Sequence, residues 1–329
     1  MKTLKKWSLS LSLFNMDNKL PLVDIVIISW NSFEYLKLCL DSIKKYTLNI
    51  SYRIIIIDNG STDETREFLK KINSDKIIIK KNKINLGYPK ALSQGYHLSK
   101  SEFVCLMNDD VVVSPYWLSN LVKVMQKNPD IGILGPVRPG AHFIHPYTNK
   151  LSKVVLEESK DRHASPVDQL KHFTQSKKFT SFVKDYKEAN GPTLVKFNTL
   201  PDIVSTCCAL VRRKAIDESG GIVDKTFSIY GGDDVDLSWR LVKSGFSLGI
   251  TSKSYIHHFE HISMDRNNVD RKKYLDINAK HLYKKWEKEI KEYLISNKKD
   301  GFSNDQILKE SWLIKRVASA VGKRFWSGT

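Results

Sequence analysis

Four short runs of nearly unbroken apolar residues mark the first third of the chain: VDIVIIS (Val23 to Ser29), RIIIID (Arg53 to Asp58), KIIIK (Lys76 to Lys80) and EFVCLM (Glu102 to Met107). Each has the length of a strand, and an uninterrupted apolar run predicts a strand buried on both faces. Between the first two lies FEYLKLCLDSIKKY, where Leu36, Leu40 and Ile43 recur at helical spacing. After the second, STDE predicts a helix start, with Ser61 or Thr62 able to cap it and early acids suited to its dipole. Strands alternating with helices predict an α/β fold, a doubly wound, mostly parallel, Rossmann-like sheet with helices on both faces. Ligands of such sheets bind beyond the carboxyl ends of the strands. Polar residues gather at those ends: Ser29, Trp30 and Asn31 after the first strand, Asp58, Asn59 and Gly60 after the second, Asn108, Asp109 and Asp110 after the fourth.

The alternation stops after PDIGILGP (Pro129 to Pro136), and residues 140–200 are polar with weak periodicity. Order returns with the strand pattern DIVSTCCALVRR and then GGDDVDLSWRLVKSGF, where Val235, Leu237, Trp239, Leu241 and Val242 fit a helix with an acidic first turn. Asp270 to Ser296 reads as one long charged amphipathic helix, and DQILKESWLIKRVASAVGKRFW as a second, basic and tipped with aromatics. The organisation this implies is a leader over 1–21, a first half-domain over 22–140, an insertion over 141–200, the second half of the same domain over 201–265, and a C-terminal helical extension over 266–329.

A length of 329 residues with 41% hydrophobic content allows a real core. The net charge of +17 admits nucleic acid, an anionic membrane surface or an anionic small substrate as partner. No zinc-finger spacing, RNA-binding aromatic signature or arginine-rich arm is present, so no nucleic acid is expected. There is no G-x-G-x-x-G after the first strand and no G-x-x-x-x-G-K-[ST] anywhere, which disfavours hydride transfer and P-loop chemistry. Cys39, Cys105, Cys207 and Cys208 are badly spaced for disulfides or tetrahedral zinc, and the expectation is a reducing, cytoplasmic compartment. No run reaches the roughly eighteen apolar residues of a membrane span. The opening MKTLKKWSLSLSLFNM lacks a small-x-small cleavage site and reads as a flexible or surface-lying leader.

Four constellations can carry chemistry. Asp58, followed by the turn-forming Asn59-Gly60-Ser61, can accept from a base or a ribose hydroxyl, or serve only as a turn residue. In NDD, Asn108 and Asp110 stand two residues apart, so both can face one hard cation such as Mg²⁺ or Mn²⁺; the same residues can instead form an Asx-turn before the helix that begins near Pro115. GGDDVDL crowds Asp233, Asp234 and Asp236, and acids this close raise one another's pKa unless a cation or helix N-terminus relieves them. That suits a general base, although favourable placement on a helix dipole explains the same acids without chemistry. A fourth group, His257, His258 and His261, fits either a metal shell or an ordinary surface cluster.

Taken in order, VIISWNSFEYLKLCLDSI, IIIIDNGSTDET, NLGYPKALSQG, FVCLMNDDVVVSPYWLSNL, PDIGILGP, CCALVRRKAI, GGDDVDLSWRLVKSGF, HHFEHIS and NAKHLYKKW resemble the family 2 inverting glycosyltransferases of GT-A fold, rhamnosyltransferase-like in the metal motif. The resemblance implies that Ser29, Asn31 and Asp58 line the nucleobase and ribose pocket and that Asn85, Gly87 and Lys90 sit beside the diphosphate. It makes Asn108 and Asp110 the outer positions of the metal motif, with Asp109 between them on the nucleotide side and His258 as a further metal or diphosphate contact. Asp233 and Asp234 match the acidic pair whose second member is the base, and Cys207, Cys208 and Ala209 the acceptor side of the sugar pocket. Two departures stand out: Asn108 where the family usually has Asp, and Ser93 where it usually has Asn.

The expected activity is transfer of a sugar from a nucleoside-diphosphate donor, carrying UDP or dTDP, to a hydroxyl of a glycan, lipid-linked sugar or protein, with Mn²⁺ or Mg²⁺. The rival from another class is a catalytically silent nucleotide-binding or scaffold protein whose acids merely cap helices. The basic C-terminal helix suits peripheral contact with the inner face of a membrane, packing on the catalytic domain, or a homodimer.

Overall fold

A computed structural model describes residues 23–138, 193–227, 230–260 and 262–327. The leader expected over 1–21, nearly all of the expected insertion, and His261 lie outside them.

The first apolar runs form β1 (Val23–Ser29), β2 (Tyr52–Asp58), β3 (Ile77–Lys81) and β4 (Phe103–Asn108), each within a residue of the expected bounds. They lie parallel in the order β3-β2-β1-β4. The helices that return the chain are α1 (Phe33–Tyr46), α2 (Thr65–Lys70) and α3 (Tyr88–Leu98). Alternation along β1 shows why its run is unbroken. Ile25 and Ile27 join the cluster that holds Leu36, Cys39, Leu40 and Ile43 of α1, whereas Val26 and Ile28 join the cluster with Ala91, Leu92 and Tyr96 of α3. Each fully buried side chain of this kind contributes about 1.5–3 kcal/mol.

Beyond β4 the sheet becomes mixed. β5 (Val111–Val113) and α4 (Trp117–Lys127) lead to β6 (Ile131–Val137); β7 (Leu194–Phe197) falls inside the expected insertion; then come β8 (Cys208–Arg212), α5 (Arg213–Glu218), α6 (Asp233–Lys243) and β9 (Ser247–His258). β8 runs antiparallel between β4 and β6, and the long β9 pairs with β6, β7 and, at its carboxyl end, β5. The strand expected from Asp202 onward is therefore only Cys208–Arg212. Cys208 and Ala209 are buried in the two hydrophobic clusters of the sheet, and the Cys207 carbonyl accepts from the Asn108 amide (2.8 Å) at the end of β4.

Two helix starts differ from expectation. α2 begins at Thr65 because Ser61 is already engaged at the end of β2, where its amide donates to Asp58 (2.9 Å) and its hydroxyl accepts from the Asn31 amide (3.0 Å). α4 begins at Trp117, behind Tyr116 in the left-handed region, so Asn108 to Asp110 do not cap it.

The C-terminal extension is α7 (Ile262–Arg266), α8 (Arg271–Lys299, kinked at Trp286), α9 (Asn304–Glu310), α10 (Trp312–Val321) and a 3-10 turn (Gly322–Trp326). The single helix expected at the end is broken by Ser311, whose hydroxyl caps α10 by accepting from the Ile314 amide (3.3 Å). The apolar residues Leu313, Ile314, Val317 and Phe325 are buried against α8 and α6, so these side chains are spent on packing within the chain. No helix of the described residues is long and apolar enough to cross a membrane.

Candidate active site

The parallel register sets Ser29 beside Asp58, and Ile28 beside Asn108, so the chain-reversing residues after β1, β2 and β4 share one rim. At the β2 end an amide ladder shapes the floor. Asn59, buried, donates to the Asn85 Oδ1 (2.8 Å) and to the Gly87 carbonyl (3.4 Å), while its own Oδ1 accepts from Asn82 (2.9 Å) and the Leu86 amide (3.1 Å). Gly60 adopts φ +83, and a Cβ there would stand 2.4 Å from the Ile84 carbonyl carbon, so the turn and the loop that follows β3 close tightly on each other. Asn85 also accepts from the Gly87 amide (2.8 Å), which fixes the entry to α3; Lys90 is exposed one turn on. Asn31, with φ 50, accepts from the Thr62 amide (2.7 Å) and donates to Asn267 (2.5 Å), tying the β1 loop to the segment after α7.

At the β4 end the carboxylates diverge. Asp109 turns back toward the β1 loop, where it accepts from Ser32, itself 3.2 Å from Ser29. Burial and the charge of Asp110 push Asp109 up to about 7 despite those donors. Asp110 faces His258, whose Nε2 is 3.1 Å from its Oδ1, and the Asn108 amide nitrogen lies 3.3 Å from the same ring nitrogen. Burial alone would depress His258, but Asp110 and Cys207 hold its proton well above the ordinary range. Neighbouring His257, by contrast, is depressed to about 4 by burial and by His258.

These residues suit a divalent ion. The Asn108 Oδ1 is buried with no hydrogen-bond partner, beside one carboxylate and one imidazole, a set of hard and borderline donors. Among the described residues no group of three or more His, Cys, Asp or Glu is arranged as a metal cage. A partial shell is what Mg²⁺ and Mn²⁺ use when substrate phosphates supply the remaining ligands.

The third wall is the start of α6. Gly231 and Gly232, at φ +83 and +85, turn the chain so that Asp233 and Asp234 open the helix. Burial and the charge of Asp234 push Asp233 up to about 8; burial also raises Asp234, against the pull of the Val235 amide and Arg138. Asp236, two residues on, is differently placed: it accepts from Arg240 (2.8 Å) and Trp286 (2.9 Å) and pairs with Lys285 (2.6 Å). It belongs to the contact with α8, not to the rim.

Arg138 and Tyr88 went unnoticed in the sequence. Arg138 follows β6, pairs with Glu260 (2.6 Å), and lies within the electrostatic reach of both Cys207 and Asp234. Burial alone would raise the Cys207 thiol, yet His258 and Arg138 draw it down to about 7. Tyr88, inside the quoted NLGYPKA stretch, feels Asp233, Cys207 and Asp234 and is pushed well up, chiefly by burial. Nothing in periodicity marks either residue, because each acts through a contact distant in the chain.

Residues 24–220 match the family model for Glycosyl transferase family 2. An uncharacterized glycosyltransferase of Haemophilus influenzae is 31% identical over 117 residues, 35% of this chain and 36% of its own length. The matched regions span 36%, 26% and 40% of three curated relatives. Among solved structures, GalNAc-T7 with UDP, GalNAc and Mn²⁺ aligns at TM-score 0.53 and 15% identity over 81% of this chain and 50% of that one. The mannosyltransferase PcManGT from Pyrobaculum calidifontis, in complex with GDP-Man and Mn²⁺, aligns at TM-score 0.51 and 15% identity over 94% and 76%. At that identity the likeness is one of fold, the GT-A type of α/β architecture.

Proposed function

This chain belongs to glycosyl transferase family 2, and from that premise we propose that it transfers a sugar from a nucleoside-diphosphate donor to a hydroxyl acceptor, with inversion and with Mn²⁺ or Mg²⁺. One observation carries the reading. Asp110 and Asp234, more than a hundred residues apart, act on one linked set of groups: Asp110 pairs with His258 (3.1 Å), His258 and Arg138 both draw down Cys207, and Arg138 also acts on Asp234.

In this reading Ser29, Asn31, Asp58 and Asp109 hold the nucleoside, and Asn85, Gly87 and Lys90 the diphosphate. Asp110, Asn108 and, once its proton is displaced, His258 would hold the ion, which would supply positive charge to the departing diphosphate. Asp234 accepts the proton of the acceptor hydroxyl as that oxygen attacks the anomeric carbon, and one displacement inverts it. Burial and mutual repulsion raise both Asp233 and Asp234, so the two carboxyls titrate as a pair suited to holding and passing one proton. Arg138 stands where its charge favours both ionised Asp234 and a leaving diphosphate. The acceptor is a hydroxyl of a glycan, a lipid-linked sugar or a protein.

A panel of UDP-, GDP- and dTDP-sugars incubated with the protein and Mn²⁺ tests this. Release of nucleoside diphosphate from one donor is expected. A protein that binds a nucleotide and releases none is the silent binding module instead.

A further inference from the structure

The acids Asp233 and Asp234 ride on a turn that is poorly suited to holding them. Gly231 and Gly232 both take left-handed backbone angles, and consecutive glycines lose the most freedom on ordering. No side chain caps the helix they lead into. What fixes the turn comes from the C-terminal extension, outside the region that matches the family model. The Asn278 Nδ2, on α8 and 1% exposed, donates to the carbonyl of Tyr230 (2.7 Å) and to that of Gly231 (2.7 Å). Leu275, one turn earlier, occupies the space where a Gly231 Cβ would come within 2.7 Å, and the Asn278 Cβ would stand 3.4 Å from one on Gly232. Further along, Trp286 and Lys285 of α8 grip Asp236 on the same helix as the acids.

We propose that Asn278 is a positioning residue, which holds the glycine turn so that Asp234 meets the acceptor hydroxyl, and that the C-terminal helices are thereby part of the catalytic unit. The inference rests on the reading of Asp234 as the base. The amide is suited to the task because one NH2 group offers two hydrogens, and two successive carbonyls both point at it. A buried donor pair of this kind fixes the direction of a peptide unit as well as its place. A base displaced by about 1 Å can lose on the order of 100-fold in rate while ligand contacts elsewhere survive.

The test is a double-mutant cycle on the full chain with the donor that the panel identifies. Asn278→Ala is expected to lower kcat by about 10- to 100-fold with the donor KM changed by less than about 3-fold. In the Asp234→Asn background the same change is expected to cost less than about 3-fold, because the residue acts through a base already removed. Equal losses in the two backgrounds, or a rise in KM with kcat kept, would overturn the proposal. If Asn278→Ala does not fold, Asn278→Ser, which keeps one donor, is read in the same cycle with an intermediate loss expected. A wild-type protein that turns over no donor sinks the glycosyltransferase reading itself, whereas an active wild type matched by its Asn278 variants sinks only the positioning role.

Discussion

At the amino end of β1, Asp24 is completely buried and surrounded by donors; at the opposite rim, Asp233 is almost as buried and has a second carboxylate for a neighbour. Asp24 accepts from Arg53 twice (2.8 and 3.0 Å), from the Ser99 hydroxyl (2.8 Å), and from the amides of Lys100 (3.1 Å) and Ser101 (3.3 Å). Burial alone would raise it, yet these donors hold it below the usual carboxylate range. At the rim burial wins, and Asp109, Asp233 and Asp234 are all pushed up. The same fold therefore neutralises one buried acid with its own donors and leaves the others short of them. A carboxylate that the fold could have satisfied and did not is placed for something that arrives later, a cation or a proton.

The contrast breaks first if the rim acids prove structural. Asp234→Asn keeps the volume and removes the base, so transfer is expected to fall by about 1,000-fold while nucleotide affinity stays within about 2-fold. Steady-state kinetics beside calorimetric titration with the nucleoside diphosphate checks both halves, and full turnover in the variant would end the assignment. For Asp24→Ala the opposite is expected. A loss of about 3 kcal/mol in unfolding free energy follows from leaving Arg53 and three donors without their acceptor, with kcat in the surviving folded fraction unchanged. Denaturant melts and active-site titration read it. Asp110→Ala should weaken nucleotide binding by about 10- to 100-fold in the presence of Mn²⁺ and leave binding without the metal almost untouched. Calorimetry with and without Mn²⁺ decides, and equal weakening under both conditions would remove Asp110 from the metal site.

How much of this was visible in the sequence follows the same division. The parallel strands were legible because burial on both faces demands unbroken apolar runs, and their carboxyl ends because polar residues cluster there. Asp58, Asn108, Asp110 and Asp234 stood out by that position and by local density. Arg138 and Asn278 did not, and Asn59 stood out only as a polar turn residue. Arg138 and Asn278 are each one polar residue in a stretch whose pattern serves packing, and all three gain their roles from partners 23 to 122 residues away that only the fold brings close: Asn59 with Asn82 and Asn85, Arg138 with Glu260, Asn278 with Tyr230. The break at Ser311 was missed for a related reason. Helical periodicity continues across it, and the extended backbone of Ser311 and its hydroxyl bond to Ile314 show that two helices meet there.

The mildest change sharpens the comparison most. Asp233 has a folded pKa of about 8, above the 3.8 of an unperturbed aspartate. Between about pH 4 and pH 8 the folded chain therefore holds a proton that the unfolded chain has released. Stability contributed by this group is complete below pH 4 and is lost as the pH rises through the folded value, the reverse of the behaviour of Asp24, whose depressed pKa costs stability only as the medium turns acid. Asp233→Asn removes the titration and keeps the shape. The variant and the wild type should melt together near pH 4, and the variant should gain steadily to about pH 8, by roughly 2 kcal/mol since Asp234 shares the proton. Above that the gap should stay constant. Melting temperatures measured from pH 4 to 9 check the slope, and a gap that shrinks with rising pH would mean that Asp233 is ionised in the folded chain and satisfied as Asp24 is.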